Sequence, residues 1–393
     1  MLSENKGAFL SLVRLGIGTE TVSGCKLQVP IDWNALEDLA ARQGLSAVVV
    51  DGVGKLPEDK RPPKPVLLQW IGETLHGYEY RYEQYRKAIA GLASFYNKHG
   101  YRMMVLKGYA CSLDWPRPEH RPCGDIDIWL FGRQAAADAA LSSKFKVQSL
   151  KFKVQSSKFK IDRSHHHHTV FDWDGFTVEN HYDFVNVHAH RSSAELEKVF
   201  KELGTFKVES GEFSVEGQLN GCSVEGCKIP CVDVYGEKIY LPSANLHALF
   251  LIKHMVSHFA AAEISLRQVL DWAFFVEKHG KDVDWDWLEG LLEKFGMWEF
   301  YCIINAICVE DLGFDAVLFR SAPFNSQLKD RVLNDILFPA YGTMEPKSML
   351  AKWAYRYRRW QGNAWKHSLC YSEGRWESLW PLLLSHMMKP EVE

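Results

Sequence analysis

The longest periodic pattern of apolar residues in the chain predicts one long helix. Its apolar and aromatic positions recur in alternating steps of four and three residues: Ile71, Leu75, Tyr78, Tyr82, Tyr85, Ile89, Leu92 and Tyr96. That spacing places all of them on one face of an α-helix, and Gly100 is suited to end it. We expect the tyrosines of this face in the core or at its rim, with ligand stacking as the alternative.

Shorter helices are predicted before the long one. Asp32 suits the N-cap of the segment WNALEDLAARQG, where Leu36 and Leu39 belong to an apolar stripe that ends before Gly44. The cluster RPPKP at 61–65 indicates a connection to the long helix, because proline interrupts helical hydrogen bonding. The N-terminal part of the chain is therefore predicted to be helical.

A second helical region is predicted from the segment LPSAN onward, with Ser243 or Asn245 as the N-cap of its first helix. Three histidines of this helix, His247, His254 and His258, fall on one side. Metal ligation, a place next to the helix cap, phosphate contacts and a polar helix–helix seam are the interpretations left open for them. The segment ISLRQVLDWAFFVEKHG predicts the next helix.

Alternating apolar and polar residues predict strands between the two helical regions. A short apolar strand runs into Lys107-Gly108, and a second strand opens with the letters DIDI at 125–128. Alternation places Asp125 and Asp127 on one face of that strand, about 7 Å apart along it. Two carboxylates at that spacing can share a divalent cation, and hard oxygen ligands suit Mg²⁺.

The segment FDWDGFTVENHYDF (171–184) predicts a β-hairpin with Asp174-Gly175 at its turn. Glu179 and His181 fall on the same face of its second strand. The alanine-rich segment GRQAAADAALSS, which follows the DIDI strand, predicts a helix.

Three consecutive seven-residue units follow the alanine-rich segment: KFKVQSL (144–150), KFKVQSS (151–157) and KFKIDRS (158–164). Their alternation of Phe and Val with Lys and Gln favours strands over a helix. We interpret the repeat as a tandem duplication that lengthens a hairpin or loop and has little catalytic meaning.

Four consecutive histidines, His165 to His168, come directly after the repeat. On a strand they would divide between the two faces, so the sequence predicts that they do not form one tight site. Adventitious metal binding and a dedicated metal site are both left open.

Composition limits the classes of protein to be considered. The 393 residues are 47% hydrophobic and 24% charged, which is typical of a globular protein with more than one domain. The formal net charge of -3 provides no global field for nucleic acid, so polyanion binding would need a local patch. We find no run of about 18 apolar residues that predicts a transmembrane helix, and no pattern of a secretory signal.

The 9 cysteines are scattered without a paired framework, which indicates a reducing cytoplasm. Their one cluster consists of Cys222, Cys227 and Cys231. It lacks the tighter pairs and the fourth ligand of a zinc site, so a metal is not expected there.

A basic and aromatic segment at 346–380 has a composition that can bind a polyanion. Lysines and arginines are interleaved with tryptophans and tyrosines there, and no acidic residue lies between Glu345 and Glu373. Charge and stacking together can hold a nucleic acid. The pattern is equally typical of an amphipathic helix whose aromatics dock on a bundle, which we favour, or of a membrane-surface helix.

The stretch RMMVLKGYACSLDWPRPEHRPCGDIDIWL (102–130) resembles the DNA polymerase β-like nucleotidyltransferase superfamily, in which a glycine turn precedes a D-x-D strand. Its form, LKG…R…GDIDIWL, is similar to an uncharacterised bacterial nucleotidyltransferase family with helical flanks. The similarity continues through LP…HALFLIKHMVSHF…LRQVLDWAFF…VDWDWL and covers much of residues 30–300. The usual turn of the superfamily is Gly-Gly or Gly-Ser, whereas this chain has Lys107-Gly108-Tyr109.

The resemblance implies an α+β fold with a small mixed β-sheet at its core. The expected domains are an N-terminal helical region at 1–100, a nucleotidyltransferase-like α/β core at 101–240 with the repeat inserted at 144–164, and a C-terminal helical domain at 241–393.

The resemblance also implies an activity. A nucleoside monophosphate would pass from an NTP such as ATP to a hydroxyl-bearing acceptor, with release of pyrophosphate. Asp125, Asp127 and Glu179 would bind two Mg²⁺ ions, with Asp183 as the reserve for Glu179.

Residues around the glycine turn would bind the nucleotide. The backbone at Gly108 would approach phosphate, and Lys107 or Arg121 would neutralise the charge that develops there.

Two other classes of function also fit the sequence. The altered glycine turn suggests a catalytically lapsed member that acts as a binding or regulatory module. The basic aromatic segment suggests a protein that binds a polyanion such as a nucleic acid.

Overall fold

The chain begins with three helices, α1 (Leu2–Ile17), α2 (Trp33–Arg42) and α3 (Ser46–Lys55). The computed structural model describes residues 2–25, 27, 31–152, 159–188, 190–204, 207–209, 212–214, 229–320, 323–341, 346–374 and 376. The Asp32 side chain caps α2 by accepting a hydrogen bond from the backbone N–H of Ala35, and Gly44 follows the helix with a φ of 67°. Both predicted ends of α2 are confirmed.

The long predicted helix is present as one continuous helical run. It consists of α4 (Lys64–Glu73), a π-helical turn (Thr74–Tyr80) and α5 (Arg81–Lys98). Tyr85 of its apolar stripe is fully buried, whereas Leu75 is 49% exposed. Ile71 in α4 is also exposed, so the predicted burial of the stripe holds in α5 and fails in α4 and the π-helical turn.

Strands and helices alternate in the middle of the chain. In order, they are β1 (Met104–Val105), α6 (Tyr109–Ser112), β2 (Ile126–Trp129), α7 (Gln134–Phe152), β3 (His168–Trp173), β4 (Phe176–His181), α8 (Ser193–Gly204), β5 (Lys207–Glu209), β6 (Glu212–Ser214), β7 (Cys231–Val234) and β8 (Glu237–Tyr240). The predicted turn at Asp174-Gly175 joins β3 to β4, and its two residues have φ values of 50° and 80°. Positive φ at both positions is typical of the tight turns in β-hairpins.

Six of these strands form one mixed sheet in the order β3-β4-β2-β1-β8-β7, while β5 and β6 form a separate pair. β4 is parallel to β2 and β1 is parallel to β8, whereas the other neighbours in the six-stranded sheet are antiparallel. Every residue of β2 is buried, as expected for a strand that is covered on both faces. The predicted α+β fold with a small mixed sheet is confirmed.

The strand interpretation of the first repeat unit is wrong, because that unit lies within α7. The alanine-rich segment starts a helix that continues into the repeat. Phe145 of this helix stacks on Phe159, with ring centroids 4.0 Å apart, and Lys144 Nζ lies 5.0 Å from the centre of the Trp173 ring. Aromatic packing on one side of a helix thus outweighs the alternation. Residues 153–158 of the repeat lie outside the described residues.

Helices form most of the remaining described chain: α9 (Ala244–Ala261), α10 (Leu266–His279), α11 (Trp285–Lys294), α12 (Trp298–Ala306), α13 (Ser326–Leu337), α14 (Met349–Gly362) and α15 (Ala364–Cys370). Ser243 caps α9, since its Oγ accepts a hydrogen bond from the backbone N–H of Leu246 at 3.4 Å. Within the described ranges, no helix combines the length and the apolar character needed to cross a membrane.

Packing groups the chain into two units, each built from separate stretches. The helical unit comprises Met1–Tyr82, Ser112–Pro122 and Leu251–Ser372, and the sheet unit comprises Glu83–Cys111, Cys123–Phe250 and Glu373–Glu393. In the helical unit, the Gln43 side chain after α2 donates to the carbonyl of Ile336 at 2.9 Å and accepts from the N–H of Leu266 at 2.7 Å. These bonds join the end of α2 to α10 and α13 within one unit, whereas the sequence predicts three consecutive domains.

The basic aromatic segment forms α14 and α15, and these two helices differ in burial. In α15 the Trp365 ring lies 5.6 Å from that of Phe259, and Lys366 is buried in an ion pair with Asp335. In α14, Tyr357 is 58% exposed. The favoured docking of aromatics therefore holds for Trp365 and does not hold for Tyr357.

Candidate active site

Two carboxylates meet in the sheet unit, on neighbouring parallel strands. Asp127 in β2 lies directly opposite Glu179 in β4. Alternation along β2 directs Ile126 and Ile128 to the other face, where both are fully buried. Asp127 is 1% exposed, and the side chain of Glu179 is 18% exposed. The structure thus places two of the three predicted carboxylates side by side.

Two histidines lie on the same face as the carboxylates. His181 follows Glu179 by two positions on β4, and His168 of β3 lies opposite His181 in the antiparallel register. The Nε2 atom of His181 is 3.3 Å from Asp127 Oδ1 and 3.7 Å from Glu179 Oε2. The Nε2 atom of His168 is 3.9 Å from Glu179 Oε1. Three adjacent strands therefore present two carboxylates and two imidazoles as one group.

Lys107 supplies a positive charge to this group. The backbone N–H of Leu106 bonds to the carbonyl of Asp127, and the next residue, Lys107, brings its Nζ to 3.0 Å from Asp127 Oδ1. Burial alone would lower the pKa of Lys107, but the charges of Asp127 and Glu179 outweigh burial and raise that pKa. Lys107 is therefore a cation that neutralises Asp127.

The other titratable groups of the site take different charge states. Burial opposes a charge on Asp127, but Lys107 and His181 hold the pKa of Asp127 well below its usual range. Burial is also outweighed at His181, whose hydrogen bonds to Asp127 and Glu179 raise its pKa to about 9. Burial raises the pKa of Glu179 and lowers the pKa of His168 to about 3. At neutral pH, Asp127 is thus ionised, His181 is a cation and His168 is neutral.

The turn at Gly108 leaves no room for a side chain. Gly108 has a φ of 60°, and a Cβ atom there would lie 2.5 Å from the hydroxyl oxygen of Tyr85. That hydroxyl donates a hydrogen bond to the backbone carbonyl of Asp125 at 2.8 Å. Tyr85 of α5 therefore holds the turn and the start of β2 together, and the core role expected for this tyrosine is confirmed.

Asp125 comes directly before β2 and, unlike Asp127, is exposed. Its negative charge contributes to the raised pKa of Lys107. Both aspartates of the DIDI segment therefore act on the same lysine. The role of Asp125 as a metal ligand stays a prediction.

Arg121 belongs to the helical unit, where it pairs with a buried carboxylate. Its Nε and Nη2 atoms donate to Oδ1 and Oδ2 of Asp271 at 2.7 and 2.8 Å. The indole N–H of Trp115 donates to the same Oδ1 at 2.9 Å. Each side chain of the ion pair is 5% exposed. This pairing gives Arg121 a structural role, and the nucleotide-binding role assigned to it from the sequence stays a prediction.

Two overlapping groups of side chains could hold a metal ion. Asp127, Glu179 and His181 form one, and His167, His168 and His181 form the other, with ligand atoms in each within 4.8 Å of one another. The expectation concerned all four consecutive histidines, and only two of them, His167 and His168, join His181 in such a group. His167 can lie beside His168 because it is in a bend before β3 and not on the strand.

Sequence reasoning did not assign His168 and His181 to the carboxylate site, although the pattern held a signal for both. Alternation already placed His181 on the face of Glu179. The predicted two-residue turn at Asp174-Gly175 also sets the register that places His168 opposite His181. Applying that register would have brought both histidines to the carboxylate.

The reserve carboxylate and the cysteine cluster lie in different surroundings. Asp183, the reserve carboxylate, forms an ion pair with Lys201. In the cysteine cluster, Cys231 is exposed on β7, while Cys222 and Cys227 lie outside the described residues.

The three histidines of α9 are not part of either metal-capable group found among the described residues. His247 Nε2 lies 3.7 Å from Cys111 Sγ, and the rings of His254 and His258 pack with centroids 4.3 Å apart. Of the open interpretations, joint metal ligation by all three is not supported in the described part of the chain.

The donor set on the sheet fits a divalent cation. Two carboxylates, Asp127 and Glu179, lie in a largely buried position, where such groups require compensating charge. Lys107 and His181 supply that charge here. The carboxylate oxygens suit Mg²⁺, whereas neutral imidazoles suit transition-metal ions.

Comparison with known proteins gives one kind of match. No curated protein and no solved structure matches the chain significantly. A family model described as an uncharacterised nucleotidyltransferase matches residues 29–313, a range that includes Lys107, Asp127 and Glu179. The bacterial origin implied by the sequence resemblance stays a prediction. Because the match covers more than half of the chain, this protein belongs to that uncharacterised nucleotidyltransferase family.

Proposed function

We propose that this protein transfers a nucleoside monophosphate from an NTP to a hydroxyl-bearing acceptor, with Mg²⁺ held by Asp125, Asp127 and Glu179. The observation that carries the proposal is the pair of neighbouring carboxylates on β2 and β4, beside the Lys107-Gly108 turn. Membership of a nucleotidyltransferase family supports nucleotidyl transfer as the class of reaction. We take ATP as the first donor to test and the cytoplasm as the location.

In the proposed reaction, the three carboxylates would bind Mg²⁺. Two Mg²⁺ ions, when bound, would supply the Lewis acid that stabilises charge on the attacking and leaving oxygens. Asp127 would contribute from the buried centre of β2, and Asp125 from its exposed start. Glu179 would hold the ion nearer to the acceptor hydroxyl.

Lys107 and Gly108 would bind the phosphate groups of the NTP. Without a side chain at Gly108, the backbone N–H groups of the turn can approach a phosphate oxygen closely. The Nζ of Lys107 would move from Asp127 to the phosphate as the cation takes over the neutralisation of Asp127. Lys107 would therefore have one partner before the nucleotide binds and another afterwards.

The first test is a calorimetric titration of the protein with each NTP, with and without Mg²⁺. We expect one NTP to bind only when Mg²⁺ is present, and we expect Asp127→Asn and Glu179→Gln to weaken that binding at least about tenfold. Asp172→Asn is the matched control, because Asp172 lies on the same hairpin and is exposed. Equal NTP affinity in Asp127→Asn and the wild type would rule out the proposed site.

Turnover needs a separate measurement because the acceptor is not identified. An NTP labelled at the α-phosphate would be incubated with sugars, hydroxyl-bearing antibiotics, proteins and RNA in turn. The expected result is label on one class of acceptor and release of pyrophosphate, both lost in Asp127→Asn.

One observation favours a catalytically lapsed binding module as the second candidate. Lys107 Nζ forms an ion pair with the Oδ1 atom of Asp127, which a metal ion would need as a ligand. The glycine turn, Lys107-Gly108-Tyr109, also differs from the usual pair of small residues. NTP binding that is unaffected by Mg²⁺, together with no label on any acceptor class, would favour this candidate.

A further inference from the structure

Three imidazoles converge at one end of the hairpin formed by β3 and β4. The ring centroids of His167 and His168 are 4.3 Å apart. The ring centroid of His181 lies 5.5 Å from that of His167 and 5.2 Å from that of His168. One ligand nitrogen from each lies within 4.8 Å of the other two. Two nitrogens on one Zn²⁺ are at most about 4.2 Å apart, since Zn–N bonds are about 2.0–2.1 Å long, so small ring rotations would bring all three nitrogens onto a single ion.

The backbone holds these rings in place. His168 and His181 are direct partners in the antiparallel register. The carbonyl of His167 accepts hydrogen bonds from the backbone N–H groups of Tyr182 and Asp183, both at 3.0 Å. The bend before β3 is therefore tied to the residues that follow β4, and all three histidines are fixed by main-chain bonds.

Ring nitrogens of this group lack partners. Among the described residues, Nδ1 of His167 and both ring nitrogens of His168 are buried without a hydrogen bond. His168 is only 4% exposed. A buried polar atom without a partner destabilises a fold, so such atoms call for a ligand or an ion that satisfies them.

We propose that His167, His168 and His181 form a site for a divalent transition-metal ion of the Zn²⁺ class, separate from the Mg²⁺ ligands of the proposed function. Three imidazole nitrogens are a ligand set that suits Zn²⁺ and its neighbours, whereas Mg²⁺ prefers oxygen. The Nδ1 atom of His181 lies 3.2 Å from the carbonyl of Asp183. Such an outer contact orients a metal-binding imidazole, and the ion would replace the proton on the Nε2 atom of His181, which now faces Asp127.

The site has a physical consequence for the hairpin. An ion bound there connects the bend at His167 to the ends of β3 and β4, in addition to the main-chain bonds. It also places a positive charge near Glu179, because His168 Nε2 is 3.9 Å from Glu179 Oε1. Zn²⁺ is therefore expected to raise the Tm of the protein in the absence of any nucleotide.

The test uses the full chain, purified without an added histidine tag and stripped with a chelator. Zn²⁺ affinity is measured by competition with a chromogenic chelator, and Co²⁺ is added in a parallel titration because its visible absorption reports nitrogen ligands. We expect one Zn²⁺ per chain and a Co²⁺ spectrum of a low-coordinate nitrogen site. Absence of stoichiometric Zn²⁺ binding by the wild type would overturn the proposal.

Variants then separate this site from the carboxylates. His168→Ala is expected to weaken Zn²⁺ binding more than about tenfold and to remove the Co²⁺ absorption. His167→Ala is expected to cause the same loss of Zn²⁺ binding. Because the His167 ring is less buried, this variant replaces His168→Ala in the test if His168→Ala does not fold. His188→Ala is the matched control, since His188 is exposed and lies outside the three-histidine group.

The Asp127→Asn variant distinguishes this proposal from the proposed function. It is expected to lose Mg²⁺-dependent NTP binding and to retain Zn²⁺ binding, because Asp127 is not one of the three imidazole ligands. Unchanged Zn²⁺ affinity in both histidine variants would overturn the site. A loss of Zn²⁺ in Asp127→Asn as large as that in His168→Ala would also overturn it, by assigning the ion to the carboxylates.

Discussion

Asp127 and Glu179 are direct neighbours on two parallel strands, although α7 and the whole of β3 lie between them in the chain. Two cations balance the negative charge of Asp127: its Oδ1 atom lies 3.0 Å from Lys107 Nζ and 3.3 Å from His181 Nε2. The site therefore carries its own counterions, and a metal ion must compete with them.

Lys107→Met is expected to strengthen the binding of a divalent cation in the absence of nucleotide. The change removes a cation that shares Asp127 Oδ1, and we expect a gain of about tenfold, or about 1.4 kcal/mol. Mn²⁺ is a convenient probe, since its free-ion resonance signal disappears on binding. The control is Lys87→Met, because Lys87 is 56% exposed and pairs with Glu83. Weaker Mn²⁺ binding in Lys107→Met would show that the lysine does not compete with the cation.

Gly108→Ala is expected to lower the free energy of unfolding by about 2 kcal/mol. About 1 kcal/mol comes from the left-handed backbone at a φ of 60°, and the rest from a Cβ atom 2.5 Å from the Tyr85 hydroxyl. In a Tyr85→Phe background most of the second part disappears, because the ring atom Cζ is 3.6 Å from the Cβ and the tightest remaining contact is the Asp125 carbonyl oxygen at 3.3 Å. Urea unfolding of the two single variants and the double variant measures this coupling. Additive effects would contradict the steric explanation.

Arg121→Met is expected to destabilise the protein by about 3–5 kcal/mol, because it leaves the carboxylate of Asp271 buried and unpaired. The double variant Arg121→Met/Asp271→Asn is expected to regain part of this loss. Its asparagine is neutral and still accepts the hydrogen bond from the indole of Trp115. Denaturant unfolding measures both effects.

The same double variant also tests the predicted nucleotide-binding role of Arg121. If Arg121 acts only through Asp271, the folded double variant binds NTP with wild-type affinity. A fall of tenfold or more in its NTP affinity, with stability restored, would support a contact between Arg121 and the nucleotide.

Glu197 is expected to make stability depend on pH. Burial raises its pKa from 4.5 to about 7, against the hydrogen bonds that its carboxylate accepts from the N–H groups of Phe184 and Val185. The folded state then binds the proton more tightly than the unfolded state. The stabilising contribution is complete below about pH 4.5 and is lost as pH rises through about 7, a change of about 3 kcal/mol.

The measurement is the difference in unfolding free energy between the wild type and Glu197→Gln across that pH range. Because the amide does not titrate, the variant is expected to lack this part of the pH dependence and to gain on the wild type as pH rises. A constant difference from pH 4 to pH 8 would show that Glu197 has the same pKa in both states.

Local patterns accounted for much of the site's framework. The alternation in DIDI and in the segment around Glu179 predicted strands, and Asp174-Gly175 predicted the turn that joins β3 to β4. The same kind of reasoning failed for the first repeat unit. Its alternating residues predict a strand, but the unit lies in the last part of α7. Packing of Phe145 on Phe159 decided that case, and no neighbouring residue in the sequence encodes it.

Outside the repeat, the sequence by itself determined most of the elements, the faces of the strands and the turn at Gly108, because these depend on the backbone preferences of adjacent residues. Only the tertiary structure decided that β2 lies parallel to β4, that Arg121 pairs with Asp271, and that His167 joins His168 and His181. Each of these involves residues that are distant in the chain or a backbone bend. Such contacts form because the whole sheet and bundle bury their apolar faces together, a condition that no short stretch of sequence contains.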